Sequence, residues 1–288
     1  MQFHIPVAED KQAYERLCRE ISCLAYEYRF SFLWLWKDSG DFSICIEDDA
    51  AYLYSAKFKL FLAPITKDMH EALDRLYAYC KKTDKPCILT SVPQNVVDLI
   101  KDDPRYMIER SRELDDYVYT SEKLISLSGK KLQAKRNHIS QFERDCSFTF
   151  NELTKNDFEE CLALDDFWNS QHDASSEVRA ERIALETAFR DWDMLGFIGA
   201  VIRVDGKVEA FTVGEIVDET EAIVHFEKGN TECHGIYPTI NRLFCARFLS
   251  KVKYVDRQED MGLESLRKAK MSYHPDLMVE KYTVERIC

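Results

Sequence analysis

Two lysines occupy positions where helical periodicity predicts apolar side chains. In the helix predicted for residues 128–146, Lys135 falls inside the apolar stripe, and Lys131 and His138 lie at its edge. In a second predicted helix, Lys270 falls inside the stripe in the same way. A buried ammonium needs a carboxylate, a ligand phosphate or a route to water, so both lysines are candidates for binding an anion. The apolar residues of the two stripes are Leu132, Ile139, Phe142 and Cys146, and Leu263, Leu266 and Tyr273.

The alternative is that each lysine extends along apolar surface and keeps its ammonium in water. Arg247 also lies on the apolar side of its own predicted helix, so such positions occur elsewhere in this chain. The sequence leaves both interpretations open.

Polar residues that could do acid–base chemistry lie near the ends of predicted strands. His225 and Glu227 share one face of the strand predicted for 222–227, and the run Arg257-Gln258-Glu259-Asp260 separates a strand from a helix. Loops at strand ends are where α/β proteins bind ligands. The alternatives are structural, because acidic residues cap helices and a lone histidine on a strand more often belongs to the core. Glu227 and Asp260 are the candidates for a general base.

The segment 229–241 follows a predicted central strand with a loop and a helix start. Free backbone amides at a helix N-terminus bind phosphates and carboxylates, so this loop is a candidate anion site. Gly235 alone is a weak signal. The sequence contains no G-x-G-x-x-G, P-loop or G-x-S-x-G pattern, which disfavours dinucleotide binding, P-loop chemistry and α/β-hydrolase chemistry.

The predicted elements repeat in the same order in both halves of the chain: helix, three-strand meander, helix, strand, helix, strand. Asp205-Gly206 is the strongest hairpin signal, because a type I′ turn needs positive φ at both central residues. We expect an α/β fold with mixed sheets: an N-terminal domain at 1–126, a linking helix at 127–146, and a C-terminal domain at 147–288 that carries the active site. The first helix is predicted for 9–28 and the last strand for 278–284.

Composition excludes several classes of protein. The 288 residues are 45% hydrophobic and 12% aromatic, which is typical of folded chains rather than disordered ones. No apolar run approaches the roughly 20 residues of a membrane span. No signal-peptide pattern occurs in the first ten residues, so we expect a cytoplasmic protein. The net charge of −12 argues against a general nucleic-acid surface.

The ten cysteines are scattered, and none forms a C-x-x-C pair. In a chain without an export signal, this pattern predicts reduced thiols and no structural zinc. Cys233 and His234 are neighbours, but a single adjacent pair is too little to indicate a metal site.

Four segments resemble a family of bacterial proteins related to the C-terminal catalytic domain of phosphatidylglycerol lysyltransferase. Their order and spacing match across roughly residues 115–285, and together they are more specific than any one of them alone. The segments are Leu127-Ser128-Gly129-Lys130-Lys131 with Lys135-Arg136-Asn137-His138-Ile139; His225-Phe226-Glu227-Lys228; Gly235-Ile236-Tyr237 with Ile240-Asn241-Arg242; and Glu259-Asp260-Met261-Gly262 through Leu266-Arg267-Lys268-Ala269-Lys270 to Ser272-Tyr273-His274-Pro275.

The resemblance implies two GNAT-like domains of the acyl-CoA N-acyltransferase type in tandem, related also to the Fem peptidyltransferases. Lysyltransferase relatives move an aminoacyl group from aminoacyl-tRNA to a lipid headgroup. This sequence departs from them because it shows no membrane-spanning half. Its loop 232–236 also lacks the second glycine usual in coenzyme A-binding enzymes. We therefore expect transfer of an acyl or aminoacyl group to an amine or hydroxyl acceptor, with acyl-CoA or aminoacyl-tRNA as donor and no covalently bound cofactor.

The resemblance also implies where the ligands bind. Glu227 or Asp260 is expected to act as the base, and the ammonium groups of Lys135 and Lys270 are expected to approach one shared polar cavity. A rival interpretation is a ligand-binding module that kept the fold and lost the activity. The identity of the acceptor and the oligomeric state stay open. The residues expected to bind donor or substrate are Lys135, Arg136, Asn137, His138, Gly235, Tyr237, Asn241, Arg267, Lys268, Lys270 and Tyr273.

Overall fold

Two mixed β-sheets organise the chain, one in each of its two units. The computed structural model describes residues 1–21, 25–171 and 175–287. The N-terminal unit consists of Met1–Asp116, Glu259–Leu263 and Met278–Cys288, and the C-terminal unit consists of Tyr117–Gln258 and Glu264–Leu277. Neither unit is therefore a single continuous stretch of chain.

The N-terminal unit begins with helices and an antiparallel meander, and it continues with alternating strands and helices. The side chain of Asp68 caps the third helix by accepting a hydrogen bond from the Glu71 amide. In chain order the elements are α1 (Asp10–Glu20), α2 (Phe30–Gly40), β1 (Phe42–Ile46), β2 (Ala50–Ser55), β3 (Leu60–Leu62), β4 (Ile65–Thr66), α3 (Met69–Thr83), β5 (Ile88–Pro93), α4 (Gln94–Ile100) and β6 (Tyr106–Arg110).

The remaining elements lie between residue 116 and the end of the chain, and short 3₁₀ turns precede several of the helices. They are β7 (Asp116–Thr120), α5 (Ser121–Ser126), α6 (Gln133–Asp145), β8 (Phe148–Glu152), α7 (Phe158–Ser170), α8 (Ser176–Arg190), α9 (Trp192–Leu195), β9 (Ile198–Val204), β10 (Lys207–Ile216), β11 (Glu221–Gly229), α10 (Ile236–Phe248), β12 (Tyr254–Asp256), α11 (Glu264–Met271), β13 (Leu277–Val279) and β14 (Lys281–Arg286).

The two sheets have the same plan. The N-terminal sheet has the order β1-β2-β3-β5-β14-β6, with β4 paired to β2, and the C-terminal sheet has the order β8-β9-β10-β11-β12-β7-β13. In each sheet an antiparallel meander is followed by one parallel pair, which is β3 with β5 in the first and β11 with β12 in the second. This repeat confirms the mixed α/β fold and the tandem arrangement of similar domains that the sequence predicts.

Each sheet contains one strand from the other half of the chain. In the N-terminal sheet, β14 lies between β5 and β6 and is antiparallel to both. In the C-terminal sheet, β7 lies between β12 and β13. The boundaries expected at residues 126 and 147 therefore differ from the units of the structure. The reason is that pairing exchanges two strands between the halves.

Local features of the sequence differ in how well they predict the elements. The hairpin at Asp205-Gly206 is confirmed, since both residues have positive φ (50° and 84°) and join β9 to β10. The single strand expected at 278–284 is instead two, β13 and β14, which belong to different sheets. The helix expected over 9–28 ends at Glu20 as α1, and part of the expected span lies outside the described residues.

A buried ion cluster lies where the two exchanged strands begin. Lys281, the first residue of β14, is fully buried, and its Nζ donates to Glu27 at 2.5 Å and to Asp116 at 2.7 Å. Asp116 is the first residue of β7. The main chain of Lys281 is also fixed, because its amide donates to Asp115 at 3.0 Å. Burial opposes the charge of Lys281, but the two carboxylates outweigh it and raise its pKa above the usual value.

Eight of the ten cysteines lie in the described ranges as free thiols, and Cys23 and Cys288 lie outside them. Among the described residues, none of the helices is both long and apolar enough to cross a membrane.

We predict that Lys281→Met destabilises the protein by about 3 to 5 kcal/mol, because it leaves the carboxylates of Glu27 and Asp116 buried without their cation. Urea denaturation followed by circular dichroism measures this change. Lys101→Met is the control, since the side chain of Lys101 is 54% exposed beside Asp98 and its loss is expected to cost less than about 1 kcal/mol. Equal effects of the two variants would contradict a structural role for the cluster.

Candidate active site

The hydrogen bonds between the parallel strands β11 and β12 stop after three residue pairs. The last pair joins Ile223 to Asp256, where β12 ends. Strand β11 continues to Gly229, so Val224–Gly229 extends beyond its parallel neighbour. Glu227 lies on this extension and Arg257 directly follows β12. Side chains, rather than the backbone, join the two strands here.

Both carboxylate oxygens of Glu227 accept hydrogen bonds. Arg257 Nη2 donates to Oε1 at 2.9 Å, and Asn241 Nδ2 donates to Oε2 at 3.1 Å. The side chains of Glu227 and Arg257 are only 10% and 13% exposed. Because each charge is largely removed from water, each depends on the other for stabilisation.

A glycine at the start of α10 brings Asn241 to this position. Gly235 has a φ of 93°, and a Cβ there would lie 2.3 Å from the carbonyl oxygen of His138 on α6. Glycine alone meets both requirements without strain or collision. Gly235 therefore sets the close approach of α6 and α10, the helices that carry Lys135 and Asn241.

Two cations lie over one aromatic ring. Lys135 Nζ is 4.1 Å from the centre of the Tyr273 ring, and the guanidinium carbon of Arg257 is 4.9 Å from it. Burial, followed by the charge of Arg257, lowers the pKa of Lys135 to about 8, and Glu227 acts in the opposite direction. Lys135 therefore loses its charge at a lower pH than an exposed lysine does.

This cluster has more positive than negative charge and unused hydrogen-bonding atoms. Lys135 and Arg257 face the single carboxylate of Glu227. Two buried atoms, Arg257 Nη1 and Asn241 Oδ1, have no hydrogen-bond partner among the described residues. Buried polar atoms are normally satisfied by protein, water or ligand. The arrangement is suited to a ligand that brings a negative charge and accepts a hydrogen bond from Arg257.

Lys270 is buried, as its place in the apolar stripe predicts, but its ammonium contacts the backbone. Its Nζ donates to the carbonyl oxygens of Arg257 at 2.6 Å and Gln258 at 3.1 Å. Lys135 and Lys270 thus both approach Arg257, one near its guanidinium and one at its carbonyl. The expected role of Lys270 as a ligand for the donor anion stays a prediction.

The second candidate base, Asp260, belongs to the N-terminal unit. Its buried carboxylate accepts a hydrogen bond from the Gly262 amide at 2.9 Å and one from Arg112 at 3.4 Å. These contacts stabilise the loop before α11. Its expected role as a base stays a prediction.

The other residues expected to bind ligand have varied surroundings. Arg136 donates to the carbonyl oxygens of Leu127 and Gly129 and so stabilises the loop before α6. Burial raises the pKa of Tyr237. Asn137, His138 and Lys268 are exposed, and Arg267 is half-buried.

The sequence did not identify a second cluster, on the opposite face of β11. Lys228 Nζ lies 2.7 Å from Glu181, 3.6 Å from Asp165 and 3.9 Å from the centre of the Trp168 ring. Strand alternation places Lys228 opposite Glu227, which is the signal that could have predicted a buried ammonium in need of carboxylates. In the described ranges, no group of three or more His, Cys, Asp or Glu is arranged to hold a metal ion.

Comparison with known proteins agrees with this architecture. The family described as "Phosphatidylglycerol lysyltransferase, C-terminal" matches residues 20–285. The chain belongs to this family. The match covers both units, including the segments that carry Glu227, Arg257, Lys135 and Tyr273.

Three solved structures resemble this chain over most of its length. A conserved protein of unknown function from Bacteroides thetaiotaomicron VPI-5482 is 29% identical, with a TM-score of 0.92 over 99% of both chains. L-PGS from Bacillus licheniformis is 13% identical, with a TM-score of 0.66 over 96% of this chain and 92% of that one. FemX is 9% identical, with a TM-score of 0.59 over 100% of this chain and 96% of that one. The last two likenesses show a common fold.

We predict that Lys135→Met stabilises the protein at pH 7 by about 1 to 2 kcal/mol, because the wild type holds a partly buried ammonium there. The pKa of Lys135 is about 8 in the folded state, against about 10.4 in an unfolded chain, so the unfolded state binds more protons between these values. The stability of the wild type relative to the variant should therefore rise with pH across this window, and the advantage of the variant should disappear by about pH 10.4.

Urea denaturation of both proteins from pH 7 to 10.5 measures this difference, in which the titration of other groups cancels. Lys131→Met, at an exposed position, is the control and should change stability by less than about 0.5 kcal/mol at every pH. A destabilised Lys135→Met protein, with no dependence on pH, would contradict the electrostatic account of Lys135.

Proposed function

We propose that the C-terminal unit transfers an acyl or aminoacyl group from a thioester or aminoacyl-tRNA donor to an amine or hydroxyl acceptor. The observation that carries the proposal is the cluster of Glu227, Arg257, Lys135 and Tyr273 beyond the end of β12. It combines a fixed carboxylate with an excess of positive charge, in a family defined by a lysyltransferase domain.

The carboxylate of Glu227 is suited to act as the general base. Arg257 and Asn241 each donate one hydrogen bond, to different oxygens of Glu227. A carboxylate oxygen can accept more than one hydrogen bond, so each oxygen can still accept a proton from the acceptor group. The acceptor group gives its proton to Glu227 as its nitrogen or oxygen attacks the donor carbonyl. The bond from the carbonyl carbon to the donor sulfur or ribose oxygen then breaks, and that leaving atom takes up a proton.

The positive charge of the cluster supports stabilisation of the tetrahedral intermediate. Negative charge develops on the carbonyl oxygen during attack, and pre-oriented donors in a water-poor site stabilise it most effectively. Arg257 Nη1 is a buried donor without a protein partner among the described residues. Lys135 provides a second cation nearby, and it is charged below about pH 8.

One observation favours the rival function, a binding module without catalysis. Both oxygens of Glu227 already accept hydrogen bonds from the protein, so an acceptor group has to approach the carboxylate beside Arg257 and Asn241. A module of this kind would bind the donor through the same cations and release it unchanged.

Incubation with labelled aminoacyl-tRNAs and acyl-CoAs, followed by mass spectrometry of the products, tests the proposal. We expect donor-dependent product from the wild type, and about 100-fold slower transfer from Arg257→Met, because one stabilising donor is lost. Lys131→Met should retain full activity. Saturable donor binding without product would favour the binding module, and full activity of Arg257→Met would exclude Arg257 from the site.

A further inference from the structure

The turn that carries Arg257 has an unfavourable backbone conformation. Gln258, the next residue, has a φ of 61°, in the left-handed region that residues with a side chain seldom adopt. A residue stays there only when its surroundings hold it. We call residues 256–258 the Gln258 turn. The peptide group that joins Arg257 to Gln258 is part of this turn.

Several hydrogen bonds hold the Gln258 turn to its own unit. Asp256 Oδ1 accepts from the Gln258 amide at 2.6 Å. The amide of Arg257 donates to the carbonyl of Tyr117 at 3.0 Å, and the amide of Tyr117 donates to the carbonyl of Gln258 at 3.2 Å. These bonds attach the turn to β7, the strand next to β12.

The ammonium of Lys270 adds a charged donor to the carbonyls of this turn. It reaches two successive carbonyl oxygens, those of Arg257 at 2.6 Å and Gln258 at 3.1 Å. Hydrogen bonds from a charged donor are roughly twice as strong as neutral ones. One side chain that bonds two consecutive carbonyls also restricts the rotation between them.

Lys270 is itself fixed in place. It is buried near the end of α11, and its carbonyl accepts a hydrogen bond from the hydroxyl of Tyr119 at 2.7 Å. Tyr273, over which the Arg257 guanidinium lies, follows on the same segment. The segment 270–273 therefore contacts Arg257 at both its backbone and its side chain.

We infer that Lys270 is a positioning residue: by holding the Gln258 turn in its left-handed conformation, it directs the guanidinium of Arg257 to Glu227 and Tyr273. The inference rests on the proposed function only in giving Arg257 a part in the reaction. In this role the ammonium of Lys270 binds backbone carbonyls of its own chain rather than a ligand.

The ionisation of Lys135 reports the position of Arg257 without any measurement of turnover. The charge of Arg257 is the second cause, after burial, of the low pKa of Lys135. If Lys270 directs Arg257, its removal lets the guanidinium move away and the pKa of Lys135 rises. A role limited to packing would leave this pKa unchanged.

The experiment measures the rate at which acetic anhydride modifies Lys135 in the folded protein as a function of pH, by peptide mass spectrometry. Arg257→Met gives the reference shift, expected upward by about 0.5 unit or more. Lys270→Met should reproduce most of that shift. Lys268→Met, an exposed lysine on the same helix, should leave the pKa of Lys135 at about 8.

An unchanged pKa of Lys135 in Lys270→Met, beside a clear shift in Arg257→Met, would overturn the inference and leave the proposed function standing. If the pKa of Lys135 shifts in Lys270→Met but the wild type shows no transfer activity, the inference stands and the proposed function alone is overturned. If Lys270→Met fails to fold, Lys270→Gln serves instead, since it keeps a hydrogen-bond donor without the charge. The inference then requires a smaller shift of the same sign, and no shift overturns it.

Discussion

The ion pair between Glu227 and Arg257 joins two parallel strands where their own hydrogen bonds have stopped. Neither charge is well exposed to water, so each stabilises the other and neither can be removed alone without leaving a buried charge. The other parts of the site are arranged around this pair. Asn241 on α10 donates the second hydrogen bond to the carboxylate, and Tyr273 lies against the guanidinium. Lys270 donates to the backbone carbonyl of Arg257.

Lys135 shows that this arrangement is not optimised for stability. Its ammonium is partly buried beside another cation, and both burial and that cation oppose its charge. Methionine could fill the same space without this electrostatic penalty. Charged residues that lower stability are typical of binding and catalytic sites, where function limits stability.

The N-terminal unit has the same strand plan but different chemistry in the corresponding place. Its parallel pair, β3 with β5, is followed by a cavity of about 270 Å³. Mostly apolar residues line it, with Lys67 as the charged side chain, and they include Tyr28, Pro64, Met69, Pro93 and Val96. The corresponding place in the C-terminal unit holds the charged side chains of Glu227, Arg257 and Lys135.

Sequence reasoning predicted the features that depend on neighbours along the chain. The hairpin at Asp205-Gly206 follows from turn chemistry, and the burial of Lys270 follows from helical spacing. It could not predict the exchange of β7 and β14, because strand partners are chosen by contacts between distant segments. For the same reason it could not predict that Lys270 donates to two backbone carbonyls, and it assigned no role to Arg257.

The most direct test of the account is a crystal structure of the protein with a non-hydrolysable donor analogue. The account predicts that the carbonyl or phosphate oxygen of the analogue lies within about 3.5 Å of Arg257 Nη1 and close to Lys135 Nζ, with the acceptor side facing Glu227. An analogue that is fully ordered elsewhere, for example in the cavity of the N-terminal unit, while Arg257 and Lys135 stay without a ligand, would contradict it.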